Sequence, residues 1–397
     1  MDIRIIPRKL QGNIAAIPSK SQAHRLLICA AFADGETTLI CPDTNRDIEA
    51  TADCLRALGA EILRTDRGYL VKPVTNIPKS ATLNCEESGS TLRFLLPIAG
   101  ALGVNTTFQM TGRLPYRPLS PLWEEMERMG CQLSRPTDTT IRCRGKLHAG
   151  DYCIDGGVSS QFITGLLLAC ALLDGNSHIT IMGTLESKPY VDMTLDALTL
   201  FGMSVSDFTI SGGRFITPGE ITVEGDWSNA AFFLAAKALG SDLTVGNLNF
   251  ESSQGDMACY QLFSDLTNQL TAPCGNIPDL VPILSVVAAT NRGATFTNIR
   301  RLRLKESDRV ASVIAMLSAL GCKATATEDT LTVFHGEFQG GTVDACGDHR
   351  IAMSAAIAAT IAQSPVTILG AECVSKSYPG FWEEYKRLGG QYEFNIR

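Results

Sequence analysis

The chain contains six apolar stretches, rich in alanine or leucine, that have helical character, and each begins with a short polar signature. The six signatures are Ser19-Lys20-Ser21, Ser88-Gly89-Ser90, Ser159-Ser160-Gln161, Asp226-Trp227-Ser228-Asn229, Pro278-Asp279 and Gly347-Asp348-His349-Arg350. Ser, Asp and Gly are typical of helix starts, where side-chain oxygens accept hydrogen bonds from free backbone N–H groups. The pattern therefore predicts six helices that begin in a similar way.

The spacing of these helix starts indicates an internal repeat. The successive intervals are 69, 70, 68, 51 and 70 residues when the markers are Ser21, Ser90, Ser160, Ser228, Asp279 and His349. A single signature of this kind usually means only a good N-cap. Four nearly equal intervals instead indicate pseudosymmetry, which would direct several positive helix N-termini towards one place and favour anion binding there.

Each repeat combines an enclosed helix with a surface helix. Residues 162–170 are apolar on every side, which predicts a helix that is buried all round. A separate helix is predicted at residues 119–129, where Leu119, Leu122, Met126 and Met129 recur at intervals of 3, 4 and 3 residues. This spacing puts them on one face and predicts a helix with one side in water.

Alternating polar and apolar residues predict strands after the helices, as at residues 140–144 and 330–334. The predicted fold class is α/β, with six βαβαββ-like units grouped as three in each of two domains. Residues 13–225 form the first predicted domain, and residues 1–12 plus 226–397 form the second. The fourth unit is the short one, so we expect it to have lost part of its outer hairpin and to keep an inner helix near Asp279.

The composition is that of a globular chain, with 45% apolar and 19% charged residues. The longest apolar runs, residues 94–104 and 162–173, fall short of the roughly 18 residues that suggest a membrane span. No apolar leader opens the chain, so we expect a cytoplasmic protein. A net charge of −7 disfavours a nucleic-acid partner. Thirteen cysteines without a Cys-x-x-Cys pair, and five histidines without metal-ligand spacing, predict no metal site.

Positive charge is nevertheless concentrated at the signatures and in nearby loops. The residues concerned are Lys20, Arg25, Arg117, Lys305, Arg309, Arg350 and Lys376. A single Lys or Arg is usually a solvated surface residue, but that explains poorly a basic residue in a motif that opens a buried helix. Guanidinium groups match phosphate and carboxylate oxygens, and neither a Walker nor a Rossmann motif accompanies the cluster. We therefore expect a strongly anionic ligand, and neither a kinase nor a dehydrogenase.

Two carboxylates lie within this basic context and are candidate acid–base groups. Asp279 precedes a predicted helix, and Glu306 belongs to Lys305-Glu306-Ser307-Asp308-Arg309. The alternatives are that Asp279 caps the helix and that Glu306 forms a salt bridge with Arg309 or Lys305.

Seven ordered motifs along nearly the whole chain make the sequence resemble the 5-enolpyruvylshikimate-3-phosphate synthases, a family of enolpyruvyl transferases. They are Pro18-Ser19-Lys20-Ser21-Gln22-Ala23-His24-Arg25, Ser88-Gly89-Ser90-Thr91-Leu92-Arg93, Ser159-Ser160-Gln161-Phe162, Ser187-Lys188-Pro189-Tyr190, Leu304-Lys305-Glu306-Ser307-Asp308-Arg309, Gly347-Asp348-His349-Arg350 and Ser375-Lys376. The resemblance implies a two-lobed inside-out α/β barrel, a monomer, and enolpyruvyl transfer to shikimate 3-phosphate in aromatic amino-acid biosynthesis. It implies no metal and no organic cofactor.

The resemblance also implies the roles of individual residues. Phosphoenolpyruvate would be surrounded by Lys20, Gly89, Arg117, Gln161, Arg309, Arg350 and Lys376. Shikimate 3-phosphate would be held by Ser21, Arg25, Ser159, Ser160, Ser187, Tyr190 and Lys305, and His349 is a further substrate-binding candidate. Asp279 would accept the proton of the 5-hydroxyl group, and Glu306, helped by Lys20, would handle the proton at the enol carbon.

The sequence departs from the family pattern in three places: the short fourth unit, Arg301 in place of an asparagine, and Glu87 in place of another asparagine. The rival reading is a UDP-N-acetylglucosamine enolpyruvyl transferase, which uses a loop cysteine. The loop at residues 112–121 has no cysteine, which favours the shikimate enzymes. A catalytically silent anion-binding scaffold is disfavoured because both Asp279 and Glu306 are present.

Overall fold

The computed structural model describes residues 1–395, and the chain divides into two compact units. The first comprises Met1–Ile17 together with the chain from Gly225 onwards, and the second comprises Pro18–Glu224. Each unit has its own hydrophobic core.

The sequence-based domain boundaries, residues 13–225 against residues 1–12 plus 226–397, stay a prediction. A compact unit is not by itself an independently folding domain.

Twelve α-helices lie within residues 1–395. They are α1 (Lys20–Ala31), α2 (Arg46–Ala57), α3 (Gly89–Leu102), α4 (Leu122–Arg128), α5 (Ser160–Cys170), α6 (Lys188–Leu200), α7 (Trp227–Ala238), α8 (Cys259–Asp265), α9 (Val281–Thr290), α10 (Arg309–Ala319), α11 (His349–Ala359) and α12 (Phe381–Arg387). Short 3₁₀ helices occur at Leu114–Tyr116, Gly255–Ala258, Arg300–Leu304 and Ala371–Lys376.

The same residues form 22 strands. They are β1 (Asp2–Ile6), β2 (Gln11–Ala15), β3 (Thr37–Ile40), β4 (Glu61–Thr65), β5 (Gly68–Lys72), β6 (Ser80–Asn84), β7 (Asn105–Gln109), β8 (Cys131–Thr137), β9 (Thr140–Gly145), β10 (Asp151–Asp155), β11 (Asn176–Met182), β12 (Val205–Ser206), β13 (Thr209–Ser211), β14 (Glu220–Thr222), β15 (Asp242–Gly246), β16 (Leu270–Pro273), β17 (Ala294–Thr297), β18 (Ala324–Ala326), β19 (Thr330–Val333), β20 (Gly341–Asp344), β21 (Val366–Leu369) and β22 (Gln391–Asn395).

Five of the six sheets in the described chain share one plan, which confirms the predicted α/β fold of similar repeating units. Their strand orders are β14-β3-β5-β4, β6-β7-β9-β8, β10-β11-β13-β12, β16-β17-β19-β18 and β20-β21-β1-β22. In each, the first two strands are parallel, and the remaining two form an antiparallel pair beside them. A helix connects two parallel strands in the usual βαβ manner, as α3 connects β6 to β7.

The sixth sheet is the shortened unit, and it consists only of the parallel strands β15 and β2. We expected this unit to have lost part of its hairpin. The sheet in fact has no hairpin at all, so the loss is larger than expected. Only residues 266–269 separate α8 from β16, which is too little chain for two strands. The helix after Asp279 begins at Val281 and belongs to the next unit, while the inner helix of the short unit is α7.

Five of the six predicted helix starts have an ordinary side-chain cap, and one does not. Ser19, Ser88, Ser159, Asp226 and Asp348 each accept a backbone N–H from the first turn of the helix that follows. The simple N-cap interpretation therefore holds for five of the six signatures.

The sixth helix, α9, has Leu280 at its N-cap and no side-chain hydrogen bond from that cap. Asp279 therefore does not occupy the capping position, and its carboxylate faces a different set of partners.

The enclosed helix that the sequence predicts is α5, whose residues from Phe162 to Cys170 are all buried. The predicted surface helix is α4, which buries Leu122 and Met126 on one face. Among the helices in residues 1–395, none combines the length and the apolar character needed to cross a membrane.

Candidate functional site

In the unit formed by residues 18–224, the first signature forms an ion pair between two helices. Lys20 is the first residue of α1, and its Nζ lies 2.9 Å from Oδ2 of Asp47 on α2. Both side chains keep less than a fifth of their surface exposed. A hydrogen bond between two charged groups of this kind is shorter and stronger than one between neutral groups. Sequence reasoning did not single out Asp47.

Arg25 lies further along α1 and is buried, with 2% of its surface exposed. Its guanidinium donates to the backbone carbonyls of Ser21 (2.5 Å) and Tyr190 (2.6 Å). It also donates to the hydroxyls of Thr194 (2.8 Å) and Thr164 (3.3 Å). Burial lowers the pKa of Arg25 to about 10. The structure thus brings Ser21, Arg25 and Tyr190 together, with backbone oxygens as the contacts.

A second cluster forms where α3 begins. A Cβ on Gly89 would lie 2.8 Å from Nη1 of Arg117 and 2.8 Å from Nη1 of Arg93, so only glycine leaves these guanidiniums undisturbed. Arg93 donates to Oε1 of Gln161 at 2.8 Å, and Gln161 donates to Oγ of Ser90 at 3.0 Å. The start of α3 therefore meets the start of α5 through this group.

Arg93 was missed as a site residue, although its position in the quoted motif held a signal. It follows Gly89 by four residues, about one helical turn, and so lies on the same face of α3. The Glu87 side chain packs against Gly112, which opens the loop that carries Arg117.

Three predicted serines occupy helix starts. Ser159 caps α5 by accepting from Gln161 N at 3.3 Å, and Ser160 is the buried first residue of that helix. Ser187 precedes α6 with φ of 54°, the left-handed region that costs a non-glycine residue roughly 1–2 kcal/mol. It makes no side-chain cap bond to α6, and such strain is often kept at functional positions.

In the other unit, Asp279 lies in the turn before α9 and faces three cations. Its carboxylate is 2.7 Å from Nη1 of Arg309, 3.5 Å from Nζ of Lys305 and 3.5 Å from Nη2 of Arg350. Burial pushes the pKa of Asp279 upwards, but the charges of Lys305, Arg350 and Arg309 outweigh it and hold the pKa well below its usual value. Asp279 is therefore ionised at neutral pH.

Arg309 joins three carboxylates from a position that is 1% exposed. Besides Asp279, it contacts Oε2 of Glu306 at 2.7 Å and Oδ2 of Asp348 at 3.0 Å. Burial lowers the pKa of Arg309, but the charges of Asp348, Glu306 and Asp279 reverse that effect and raise it. The salt-bridge alternative for Glu306 is thus present in the structure, and it places Glu306 beside the same guanidinium as Asp279.

Arg350 is held by the start of α7 as well as by Asp279. Its Nη1 donates to the Ser228 carbonyl at 2.9 Å, and its guanidinium lies 5.8 Å from the Phe232 ring centre. Asp256, in the 3₁₀ helix of the short unit, is buried near this group. Burial, followed by the charge of Asp279, raises the pKa of Asp256 to about 6.

Neither Asp256 nor Asp348 was predicted as a site residue. Asp348 stood inside a quoted motif, whereas no spacing pointed to Asp256.

The remaining predicted residues surround this unit's cluster or the start of α11. Burial lowers the pKa of Lys305; the charge of Asp279 opposes this shift, and the charges of Arg309 and Arg301 add to it. Arg301 donates to the Gly275 carbonyl at 3.1 Å. His349 is the buried first residue of α11, and Lys376 donates to the Gly347 carbonyl at 3.1 Å.

Comparisons with known proteins agree with the motif resemblance. The sequence profile of EPSP synthase (3-phosphoshikimate 1-carboxyvinyltransferase) matches residues 5–273 and 272–385. A 3-phosphoshikimate 1-carboxyvinyltransferase from Clostridium kluyveri is 38% identical, with 98% of each chain covered. One from Clostridium beijerinckii is 37% identical over 100% of this chain and 99% of the relative.

Solved structures show the same fold at lower identity. An EPSP synthase from Acinetobacter baumannii superposes with a TM-score of 0.80 at 24% identity, covering 99% of this chain and all of the other. The enolpyruvyl transferase NikO from Streptomyces tendae gives 0.76 at 15% identity, covering 100% of this chain and 99% of the other. At these identities the structural likeness shows the fold alone, and the sequence relatives show the family.

Proposed function

This chain belongs to the EPSP synthase (3-phosphoshikimate 1-carboxyvinyltransferase) family, and from that premise we propose that it transfers the enolpyruvyl group of phosphoenolpyruvate to the 5-hydroxyl of shikimate 3-phosphate. Phosphate is the second product. The observation that carries the proposal is the ionised Asp279 carboxylate, held by Lys305, Arg309 and Arg350. A carboxylate that can accept a proton thus lies next to three cations that can bind substrate anions.

The proposed substrate contacts are those that the family resemblance implies. Phosphoenolpyruvate is bound by Lys20, Gly89, Arg117, Gln161, Arg309, Arg350 and Lys376. Shikimate 3-phosphate is bound by Ser21, Arg25, Ser159, Ser160, Ser187, Tyr190 and Lys305, and His349 is a further substrate contact. Both substrates carry phosphate and carboxylate groups, which suit guanidinium and ammonium donors.

The chemistry runs through a tetrahedral adduct. Glu306, helped by Lys20, delivers a proton to the enol methylene carbon, and the carbon that carries the phosphate becomes cationic. The 5-hydroxyl oxygen attacks this carbon while Asp279 accepts the hydroxyl proton. Glu306, now a carboxylate, takes back a methyl proton while the bond from carbon to the phosphate oxygen breaks, which restores the double bond and releases phosphate. Positioned acids and bases of this type contribute roughly 10²–10⁴-fold each.

Substrate binding also adjusts the base. In the free protein, three cations hold the pKa of Asp279 low, which makes it a weak proton acceptor. A phosphate or carboxylate that pairs with Lys305, Arg309 or Arg350 offsets part of this positive field, so the pKa of Asp279 rises when substrate is present. Asp279 is therefore a stronger proton acceptor when substrate is bound than in the free protein.

The test is a phosphate-release assay with phosphoenolpyruvate and either shikimate 3-phosphate or UDP-N-acetylglucosamine. We expect turnover with the first acceptor alone. Turnover with the nucleotide sugar alone would establish the rival enolpyruvyl transferase, and binding of phosphoenolpyruvate and shikimate 3-phosphate without turnover would establish a silent scaffold. We also propose that the protein acts as a cytoplasmic monomer, which light scattering of the purified chain tests for oligomeric state.

A further inference from the structure

A chain of four buried polar side chains links three helices, α1, α2 and α3. Nδ1 of His24 on α1 lies 2.7 Å from Oγ1 of Thr51 on α2. Oγ1 of Thr51 lies 2.7 Å from Oγ1 of Thr91 on α3, which donates to Oγ of Ser88 at 2.7 Å. All four residues are 0% exposed. In such surroundings a complete hydrogen-bond chain fixes one arrangement, because each broken bond leaves a buried polar group unsatisfied.

One protonation state places a hydrogen in each of the three contacts, while the buried Nε2 of His24 has no hydrogen-bond partner among the described residues. Since Thr91 donates its hydroxyl hydrogen to Ser88, Thr51 must donate to Thr91, and His24 must donate to Thr51 through Nδ1. His24 is therefore a neutral imidazole with its hydrogen on Nδ1. Burial, with the nearby charges of Lys20 and Arg25, lowers the pKa of His24 well below its usual value, which agrees with a neutral ring.

The chain joins helices that carry groups assigned to substrate in the proposed function. Lys20 lies one turn before His24 on α1, Asp47 lies one turn before Thr51 on α2, and Lys20 and Asp47 form an ion pair. Ser88 caps α3 by accepting from Thr91 N at 3.3 Å, immediately before Gly89. The chain itself lies inside the protein, with the ring of His24 edge-on to Phe94 at 6.3 Å between centres.

We propose that His24, Thr51, Thr91 and Ser88 form a positioning network that fixes the Lys20–Asp47 pair and the Gly89 turn in register for phosphoenolpyruvate. This inference rests on the proposed function, in which Lys20 and Gly89 contact that substrate. The network does not touch substrate. Its effect is to hold α1, α2 and α3 at one spacing, so that an ammonium, a carboxylate and a helix start keep their relative places.

The experiment compares Thr51→Val, which is nearly isosteric but has no hydroxyl, with Thr51→Ser, which keeps one. We expect Thr51→Val to raise KM for phosphoenolpyruvate and to lower kcat/KM by about 10-fold, the lower end of the effect seen when orienting partners of functional side chains are removed. KM for shikimate 3-phosphate should change less than twofold, and Thr51→Ser should stay within about threefold of the parent. Thr106→Val, at a buried threonine of β7 outside this network, is the matched control.

Equal kinetics for Thr51→Val and Thr51→Ser would overturn the proposal, as would equal changes in the two KM values. If Thr51→Val does not fold, His24→Asn, which retains a short polar side chain, and His24→Leu provide the same comparison. Long-range ¹H–¹⁵N spectra of the parent protein give an independent readout, and a hydrogen on Nε2 of His24 would contradict the chain. The failure of the proposed function is distinct, because it would appear as no turnover in the parent.

Discussion

Two buried arginines, one in each unit, are satisfied in opposite ways. Arg25 is 2% exposed, and among the described residues its acceptors are two backbone carbonyls and two hydroxyls. Arg309 is 1% exposed, and its acceptors are the carboxylates of Asp279, Glu306 and Asp348. Burial lowers the pKa of Arg25, whereas the three carboxylates raise the pKa of Arg309.

The difference shows that one buried guanidinium keeps its charge uncancelled while the other is paired with carboxylates. The charge of Arg25 is not cancelled by its neutral acceptors, and in the proposed function it stabilises a substrate anion. Within the described chain, its four bonds use four of five N–H groups. The charge of Arg309 is paired with three carboxylates, two of which, Asp279 and Glu306, are the proposed proton carriers.

The largest effect should come from the carboxylate that shares Arg309. In Asp279→Asn, the side chain keeps its shape but accepts no proton, so we expect kcat to fall by roughly 10²–10⁴. Phosphate release under saturating substrates measures this. Asp242→Asn, at an exposed aspartate of β15 in the same unit, should leave kcat unchanged. Near-normal turnover of Asp279→Asn would show that Asp279, which is paired with Arg309, is not the catalytic base.

The next effect concerns stability and contrasts the two arginines directly. Arg309→Met leaves three carboxylates without their shared cation, so we expect a loss of about 3–5 kcal/mol in the free energy of unfolding. Arg25→Met leaves only neutral acceptors, and we expect about 1–3 kcal/mol.

Urea denaturation at pH 7.5 and pH 5 measures both losses. Protonation relieves stranded carboxylates, so the penalty should shrink at pH 5 for Arg309→Met and stay constant for Arg25→Met. Equal pH responses in the two variants would show that their surroundings do not differ as described.

A third prediction separates two carboxyl groups of the same unit by the sign of their pH dependence. The raised pKa of Asp256 means that its contribution to stability is complete below the unfolded pKa and is lost as the pH rises through about 6. The lowered pKa of Asp279 means that its contribution is present above the unfolded pKa and is lost as the pH falls through the folded value.

We therefore expect Asp256→Asn to be more stable than the parent by about 2–3 kcal/mol at pH 8, since about two pKa units separate the folded and unfolded states. The advantage should vanish near pH 4. Asp279→Asn should instead be less stable at pH 8 and approach the parent in acid. Urea unfolding across this range checks both curves, and a pH-independent Asp256→Asn difference would refute the assignment.

The sequence predicted the repeated units, the enclosed helix α5 and the starts of the inner helices, because apolar runs and capping preferences are local properties. It could not predict which charges pair. Arg309 contacts Asp279, which lies 30 residues earlier, and Asp348, which lies 39 residues later, and only the packing of α9, α10 and α11 brings them together. Asp256 escaped detection for the same reason, since its partners belong to other elements. The roles of the site residues stay predictions.

The smallest expected effect sharpens the anion-binding side of the comparison. Gly89 begins α3, where alanine is no worse a helix former than glycine. A Cβ there would approach Nη1 of Arg93 and of Arg117 to 2.8 Å, closer than real contacts allow. Both are ends of flexible side chains, so they should move aside without unfolding the helix.

Gly89→Ala should therefore raise KM for phosphoenolpyruvate by about 10-fold, or about 1.4 kcal/mol of binding. Its melting temperature should not fall, and KM for shikimate 3-phosphate should stay within twofold. Gly380→Ala, where an added Cβ meets nothing within 4 Å, is the control. An unchanged KM for phosphoenolpyruvate would mean that Arg117, next to Gly89, does not bind this substrate.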